Sequence, residues 1–170
     1  MEHDHVDTIL AQWQREKPDL DARPMAVVGR ISRSAKALSR ALDTTFARFG
    51  LNGGEFDVLA TLRRSGAPYR LTPTELFKDL MLSSGAMTNR LDQLERAELI
   101  ERIPDPSDRR GTLVGLTAHG IDLVDTAVAA HLANEHRLLH ALSSDEREHL
   151  ADLLRKLLCS LENHSGAGDT

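Results

Sequence analysis

The sequence has few of the residues and segments that mark secreted, disulfide-rich or membrane proteins. It contains one cysteine, Cys159, so no disulfide can form within the chain, and a reducing, cytoplasmic environment is expected. The N-terminal residues lack the cationic start and apolar run of a secretory signal. No segment reaches the roughly 18 uncharged apolar residues of a membrane span, so no membrane partner is expected. Aromatic residues make up 4% of the chain, which leaves Leu, Val, Ile and Ala to build the core.

The sequence also lacks the usual signatures of catalysis. There is no glycine-rich phosphate loop, no Gly-x-Ser-x-Gly elbow and no alternation of strands and helices that would build a catalytic sheet. Acidic residues and histidines are plentiful, but they fall on amphipathic helices without a clustered pattern. We therefore expect a protein that is not an enzyme and that uses no cofactor.

The charge is unevenly distributed along the chain, whose net charge is −5. Residues 30–117 carry 14 Lys and Arg against 11 Asp and Glu, a net +3. The flanking segments are acidic, with three cations against six anions before residue 30 and four against nine after residue 117. Because local charge governs the attraction of phosphates, the central segment is compatible with a nucleic-acid partner.

The spacing of apolar residues predicts a mainly α-helical protein. A short amphipathic helix begins near Val6, and a capping-box pattern, Asn52-Gly53-Gly54-Glu55, begins a third helix. Two long helices fill the C-terminal third, and Ser143-Ser144-Asp145-Glu146 caps the second of them. The other predicted features are a long helix from about Pro24 to Phe49 ended by Gly50, and a flexible polar tail over 163–170.

The centre of the chain has a distinctive order of elements. Thr72-Pro73-Thr74-Glu75 is a strong helix start, and Ser83-Ser84-Gly85 interrupts that helix and begins another. Ile100–Ile103 and Thr112–Leu116 then read as two strands around a polar turn. Two short helices followed by a two-stranded ribbon is the layout of a winged helix-turn-helix. The predicted fold is therefore mainly α, with a winged helix-turn-helix over 51–117, one β-hairpin wing, and long helices at both ends.

The second short helix has a polar side suited to reading DNA. Met87, Leu91 and Leu94 form its inward stripe, which leaves the remaining side chains on the outer side. Such side chains can hydrogen-bond base edges in a major groove, although an ordinary solvated face has a similar composition. The predicted DNA-contacting residues of this segment are Ser83, Ser84, Gly85, Thr88, Asn89, Gln93 and Arg96.

The turn of the predicted hairpin, residues 105–111, places Arg109 and Arg110 side by side. An arginine at a wing tip can enter a narrow minor groove, where negative potential is concentrated. Asp105 or Asp108 could pair with one of them and fix its direction. An ordinary charged turn is the alternative, but the position directly after a helix-turn-helix favours a DNA-binding wing.

Residues from about 30 to 160 resemble the MarR family of bacterial regulators. The similarity lies in Leu71-Thr72-Pro73-Thr74-Glu75-Leu76, in Ser84-Gly85-Ala86-Met87-Thr88-Asn89-Arg90-Leu91, and in residues 105–110 with Leu116-Thr117-Ala118-His119-Gly120. The resemblance implies a homodimer held by residues 1–50 and 118–162, a palindromic duplex operator, and release from DNA by a small molecule. Periodicity supports the dimer independently, because the terminal helices carry more apolar residues than one small domain needs.

The N-terminal helix with Trp13 resembles one branch of that family, which responds to urate and similar anionic aromatics. The resemblance implies a ligand site formed by Trp13, Asp57 and Arg90, with urate or a phenolic acid as ligand. An aromatic plate and an arginine suit a planar anion. The alternative is that Asp57 and Arg90 form a structural ion pair and that Trp13 anchors the added helix.

Three further possibilities remain open from the sequence. His131 with Glu135, and His136 with His140, are spaced i,i+4 as metal ligands can be, but such pairs on exposed helices are usually solvated, so no metal site is predicted. Cys159 lies in an apolar helix, where a core or interface thiol is expected and a redox sensor is the alternative. A helical protein-interaction module would explain the terminal helices but not the arginine-tipped ribbon.

Overall fold

The structure is a computed structural model that describes residues 3–80, 84–108 and 110–165, without the side chains of 84–86, 164 and 165. In these residues the chain forms seven helices and three strands. In chain order they are α1 (His5–Glu16), α2 (Arg23–Ala47), α3 (Gly53–Arg64), β1 (Arg70–Leu71), α4 (Pro73–Leu80), α5 (Ser84–Arg96), β2 (Ile100–Pro104), β3 (Thr112–Leu116), α6 (Ala118–Leu138) and α7 (Ser144–Ser165). The predicted mainly helical winged helix-turn-helix is confirmed.

The described residues from 3 to 131 form one compact unit, whose core is mostly aliphatic. The core joins α3 to the helix-turn-helix, the sheet and the first half of α6. Its largest fully buried side chains include Leu59, Leu62, Leu76, Leu94 and Ile100. Leucine and isoleucine therefore supply most of the large buried side chains in a chain that has few aromatic residues.

The predicted capping boxes all form. The side chain of Asn52 accepts a hydrogen bond from the Glu55 N–H at 3.0 Å, and Glu55 accepts one from the Asn52 N–H at 2.9 Å. Thr72 and Glu75 begin α4 in the same reciprocal way, and Ser143 and Glu146 begin α7. These caps satisfy backbone N–H groups that would otherwise lack partners in the first helical turn.

The sheet has one strand more than the sequence predicted. β2 and β3 form the expected antiparallel hairpin, with Ile100 opposite Leu116 and Pro104 opposite Thr112. The short β1 pairs with the other edge of β3, so that the order is β1-β3-β2. Two residues, Arg70 and Leu71, are too few to show an alternating pattern, which is why the prediction of a single hairpin missed this strand.

Several helix ends differ from the predicted positions. α2 ends at Ala47, two residues before Phe49, and Gly50 follows in the left-handed conformation with φ 70°. α6 ends at Leu138, so Leu139 and Leu142 do not extend its stripe as predicted and lie in the connection to α7. α7 continues through Ser165 into the segment predicted as a tail, and residues 166–170 lie outside the described residues.

Helix α1 is fixed to α2 by its first turn. Val6 is buried against Gly29, where an added Cβ would lie 3.4 Å from a Val6 methyl group. The Arg30 guanidinium donates to the carboxylates of Asp4 and Asp7 at 2.8 and 2.7 Å. The later turns of α1, including Trp13, remain exposed.

From residue 132 to residue 165, the chain forms a second compact unit that contains α7. Leucines at 150, 153, 154, 157, 158 and 161 are between 39% and 56% exposed on this helix in the single chain. Among the described residues, no helix is long and apolar enough to cross a membrane.

Candidate nucleic-acid interface and ligand site

Helix α5 has the two faces that the sequence predicted. Met87, Leu91 and Leu94 are at most 4% exposed and pack into the core. Thr88, Asn89, Gln93 and Arg96 are exposed to solvent. Ser84 and Gly85 belong to α5, but their side chains lie outside the described residues, as does all of Ser83. The described part of this face is therefore accessible to solvent.

An arginine that the sequence analysis missed joins this helix to the wing. The Arg102 guanidinium, on β2, donates to Asp92 Oδ1 at 2.6 Å and also to Glu95. Asp92 and Glu95 lie three residues apart on α5, so the planar guanidinium can reach both carboxylates. The arrangement fixes the wing relative to α5 and neutralises acidic charge beside the exposed face. In the sequence, this bridge could have been suspected from an arginine in β2 that follows two acidic residues of the preceding helix.

The acidic residues of the wing turn stabilise its backbone. The carboxylate of Asp105 accepts hydrogen bonds from the N–H and the hydroxyl of Ser107, at 2.8 and 2.7 Å, and these bonds lower the pKa of Asp105. Asp108 accepts one from the Arg110 N–H at 3.0 Å. The Arg110 side chain is exposed, whereas Arg109 lies outside the described residues. The turn thus presents the Arg110 side chain to solvent.

Behind the exposed face of α5, the Arg90 side chain lies against the start of α3. Its guanidinium is so close to Gly54 that a Cβ built there would be 2.2 Å from Arg90 Cζ. The Nη1 atom of Arg90 is buried and, within the part of the chain that the structure describes, makes no hydrogen bond. A cation beside the first turn of a helix is also opposed by the helix dipole, so the position suits an additional anion.

Asp57 is the second predicted ligand residue, and it lies one turn further along α3. Burial by protein atoms raises the pKa of Asp57, and electrostatic interactions with Arg90, His131 and Arg64 offset part of that rise. Its side chain nevertheless remains open to solvent in the single chain. The structure therefore brings Asp57 and Arg90 into electrostatic contact, without a described hydrogen bond between them.

Three aromatic rings cluster near the start of α3, and one of them, His131, also interacts with Asp57. The rings of Phe46 and Phe56 stack with centroids 4.3 Å apart, and the His131 ring lies 5.3 and 5.0 Å from them. Trp13 is 39% exposed, and among the described side chains no hydrogen bond or ring contact joins it to Asp57 or Arg90. Two of the three predicted ligand residues therefore interact in this chain, and the third stands apart from them.

The other predicted sites can be placed as well. Within residues 3–80, 84–108 and 110–165, no three potential metal ligands are grouped. Cys159 is exposed in the single chain, where the sequence had favoured a core or interface position.

Comparison with known proteins identifies the fold's family. Residues 51–112 match the model of the MarR family. The chain is 42% identical over 159 residues to the HTH-type transcriptional regulator PecS of Dickeya dadantii (strain 3937), covering 94% of this chain and 96% of that protein. The chain belongs to the MarR family. The resemblance inferred from the sequence is thus confirmed, and this MarR-family chain is a DNA-binding transcriptional regulator rather than an enzyme.

Two solved structures relate this MarR-family fold to DNA and to a ligand. A mutant MarR from E. coli, complexed with operator DNA, is 30% identical with a TM-score of 0.70, covering 79% of this chain and 94% of that one. BpsR of Bordetella bronchiseptica is 25% identical with a TM-score of 0.68, covering 77% and 91%. In BpsR, DNA binding is regulated by 6-hydroxynicotinic acid.

Proposed function

We propose that the protein is a cytoplasmic, ligand-responsive repressor that binds a pseudo-palindromic operator as a homodimer. The observation that carries this proposal is the exposed polar face of α5, held beside an arginine-bearing wing by Arg102. Asn89 and Gln93 would read base edges in the major groove, while Arg109 or Arg110 enters the adjacent minor groove. Residues 51–117 would form the DNA-binding region.

Exposed apolar surface supports the homodimer. Val27 and Val28 on α2 are 58% and 65% exposed, and the leucines of α7 are exposed to a similar degree. Monomeric proteins rarely leave large contiguous apolar patches in water, and a two-fold symmetric partner would bury the same residues on both copies. We assign dimerisation to residues 1–50 and 118–162 on this ground.

Selection of binding sites from random duplexes tests the dimeric mode. The selected site should contain two inverted half-sites with centres about one helical turn apart, because two copies of α5 would enter successive major grooves. Sedimentation of the saturated complex should give two chains per duplex. One chain per duplex, or a selected site without inverted symmetry, would contradict the proposal.

Alanine substitution tests the wing. Arg110→Ala, and more strongly the double variant with Arg109→Ala, should weaken operator binding by well over the few tenths of a kcal/mol expected of an ordinary surface charge. Thermal stability should be unchanged because the Arg110 side chain is exposed. Arg33→Ala removes an exposed cation from α2, outside residues 51–117; with its dimer verified by sedimentation, it is the matched control and should retain operator affinity. Wild-type affinity in the double variant would exclude a DNA-binding wing.

For the ligand, the proposed class is an anionic aromatic such as urate or a phenolic acid. The Nη1 atom of Arg90 is buried without a hydrogen-bond partner among the described residues, so an anion could supply one. Trp13 is assigned to the same site on the resemblance to the urate-responsive branch. A ligand there would act on DNA binding because Arg90 belongs to α5, provided that it binds the free and DNA-bound conformations with different affinities.

The sole tryptophan offers a direct test. Titration with urate and a panel of phenolic acids should quench Trp13 fluorescence and weaken operator binding over the same concentration range. Arg90→Ala should reduce ligand affinity. If no compound changed either the emission or the operator affinity, the ligand proposal would fail. Equal ligand affinity in Arg90→Ala would show instead that Arg90 does not bind the anion.

A further inference from the structure

Gly54, the second residue of α3, lies directly under the guanidinium of Arg90. A Cβ built on Gly54 would lie 2.2 Å from Cζ, 2.4 Å from Nε and 2.6 Å from Nη2 of Arg90. All three distances are far inside ordinary van der Waals contact. A side chain at position 54 and the Arg90 guanidinium therefore cannot occupy their places together.

If a side chain is introduced, the guanidinium will move and the backbone of α3 will stay. The capping box between Asn52 and Glu55 fixes the first turn of the helix by two reciprocal hydrogen bonds. Phe56, two residues later, is 5% exposed and stacked on Phe46. The guanidinium, in contrast, is the far end of a flexible side chain.

The space above Gly54, which the Arg90 guanidinium occupies, lies on the same side of α3 as Asp57. Gly54 and Asp57 are three residues apart and share one side of α3. Asp57 is faced by Arg90 from α5, by His131 from α6 and by Arg64 from α3 itself. Displacing the guanidinium would therefore remove the largest of the three interactions that lower the pKa of Asp57.

We propose that Gly54 is a positioning residue, which holds the Arg90 guanidinium against α3 and beside Asp57. A side chain at position 54 would weaken the anion response while leaving the exposed face of α5 intact. The positioning role follows from the geometry alone, whereas its effect on the anion response rests on the ligand site proposed above.

The neighbouring glycine provides a matched control. A Cβ on Gly53 would lie 3.4 Å from Asp43 Oδ1 and 3.8 Å from the Phe46 ring, which are ordinary contacts. Both glycines lie in the first turn of α3, and neither has a positive φ. Alanine therefore removes the same backbone freedom at both positions, and only at position 54 does it meet Arg90.

The decisive experiment is a carboxyl-carbon NMR titration of Asp57 in the free full-length protein, comparing wild type, Gly53→Ala, Gly54→Ala and Arg90→Ala. In Gly54→Ala the pKa of Asp57 should rise above the wild-type value toward that of Arg90→Ala, while Gly53→Ala should match wild type. Both glycine variants should melt no lower than wild type. An unchanged pKa in Gly54→Ala would overturn the proposal, and so would unfolding of that variant alone, because the backbone would then be the part that yields.

A second measurement follows the anion response. With urate and salicylate as probes, Gly54→Ala should require at least about tenfold more ligand than wild type to release a duplex, with operator affinity within about twofold of wild type. Gly53→Ala should respond as wild type does. An unchanged dose in Gly54→Ala would contradict the proposed effect. If neither probe released the duplex from wild-type protein, the ligand site proposed for these compounds would be refuted. The titration of Asp57 would still decide the role of Gly54.

Discussion

Replacing Arg102 by alanine should weaken both the fold and DNA binding, and the two effects can be separated. The guanidinium bridges β2 to two carboxylates of α5, those of Asp92 and Glu95. Arg102→Ala removes this bridge and leaves both carboxylates beside the face that we propose contacts DNA. The wing would lose its attachment to α5, and acidic charge would become uncompensated near the phosphates.

The structure sets the size of each effect. The three side chains are 30%, 42% and 39% exposed for Arg102, Asp92 and Glu95, so solvent screens the pairs, and together they should contribute about 1 kcal/mol to the free energy of unfolding. Two unneutralised carboxylates close to the duplex should cost operator binding about tenfold, or about 1.4 kcal/mol. Arg102→Lys should recover part of both losses, because an ammonium group cannot bridge two carboxylates with the same fork.

Arg63 provides the matched control. It binds Asp125 through two hydrogen bonds of 2.7 and 3.1 Å with similar exposure, and it joins α3 to α6 rather than α5 to the wing. Urea denaturation should give similar losses for Arg63→Ala and Arg102→Ala, while fluorescence anisotropy with a labelled operator should reveal weaker binding for Arg102→Ala alone. Equal operator affinities of the two variants would refute the role assigned to Arg102.

Three other predictions address the core, base recognition and the docking of α1. Leu62 is fully buried, so Leu62→Ala should lower the free energy of unfolding by about 2–5 kcal/mol in urea denaturation, and a loss under about 1 kcal/mol would contradict the assigned core. Asn89→Ala should cost about 1–3 kcal/mol of operator binding and relax base preference at one position in each half-site, without a change in stability; an unaltered selected sequence would exclude base contact by this residue. The pKa of Asp4 is lowered, because the rise caused by removal from water is outweighed by hydrogen bonds from Arg30 and from backbone N–H groups. The pKa of Asp7 is lowered as well, by hydrogen bonds from the Asp4 N–H and from Arg30. The docking of α1 should therefore be complete above the ordinary carboxyl value of 3.8 and be lost as the pH falls through the lowered values. Tryptophan emission should follow this loss, and Arg30→Ala should already have the undocked emission at neutral pH; an acid transition in that variant identical to wild type would contradict the assignment.

The sequence predicted the features that depend on neighbouring residues. Capping boxes connect residues three apart, and the stripe of Met87, Leu91 and Leu94 follows from helical periodicity alone. The order of short helices and strands then identified the winged helix-turn-helix, because few folds share it. The two strands of the hairpin, which the sequence placed at Ile100–Ile103 and Thr112–Leu116, also formed.

Features created by tertiary packing could not be predicted in this way. The place of Arg90 over Gly54 depends on how α5 packs on α3, and no local pattern encodes a contact between residues 36 positions apart. The bridge from Arg102 depends on the path of the chain between α5 and β2. The proximity of Asp57 and Arg90 was expected from resemblance to a family, whereas His131 had been considered as a metal ligand rather than as a neighbour of Phe46 and Phe56.

The dependence of operator affinity on salt tests the central claim most directly. If α5 and the wing bind a duplex as proposed, the logarithm of the association constant should fall linearly and steeply with the logarithm of the salt concentration. Each contacted phosphate releases condensed counterions and adds about −0.9 to the slope of this plot. Two copies of the interface should give a slope several times larger, and Arg110→Ala should make it less steep. A slope near zero on the selected operator would contradict the account.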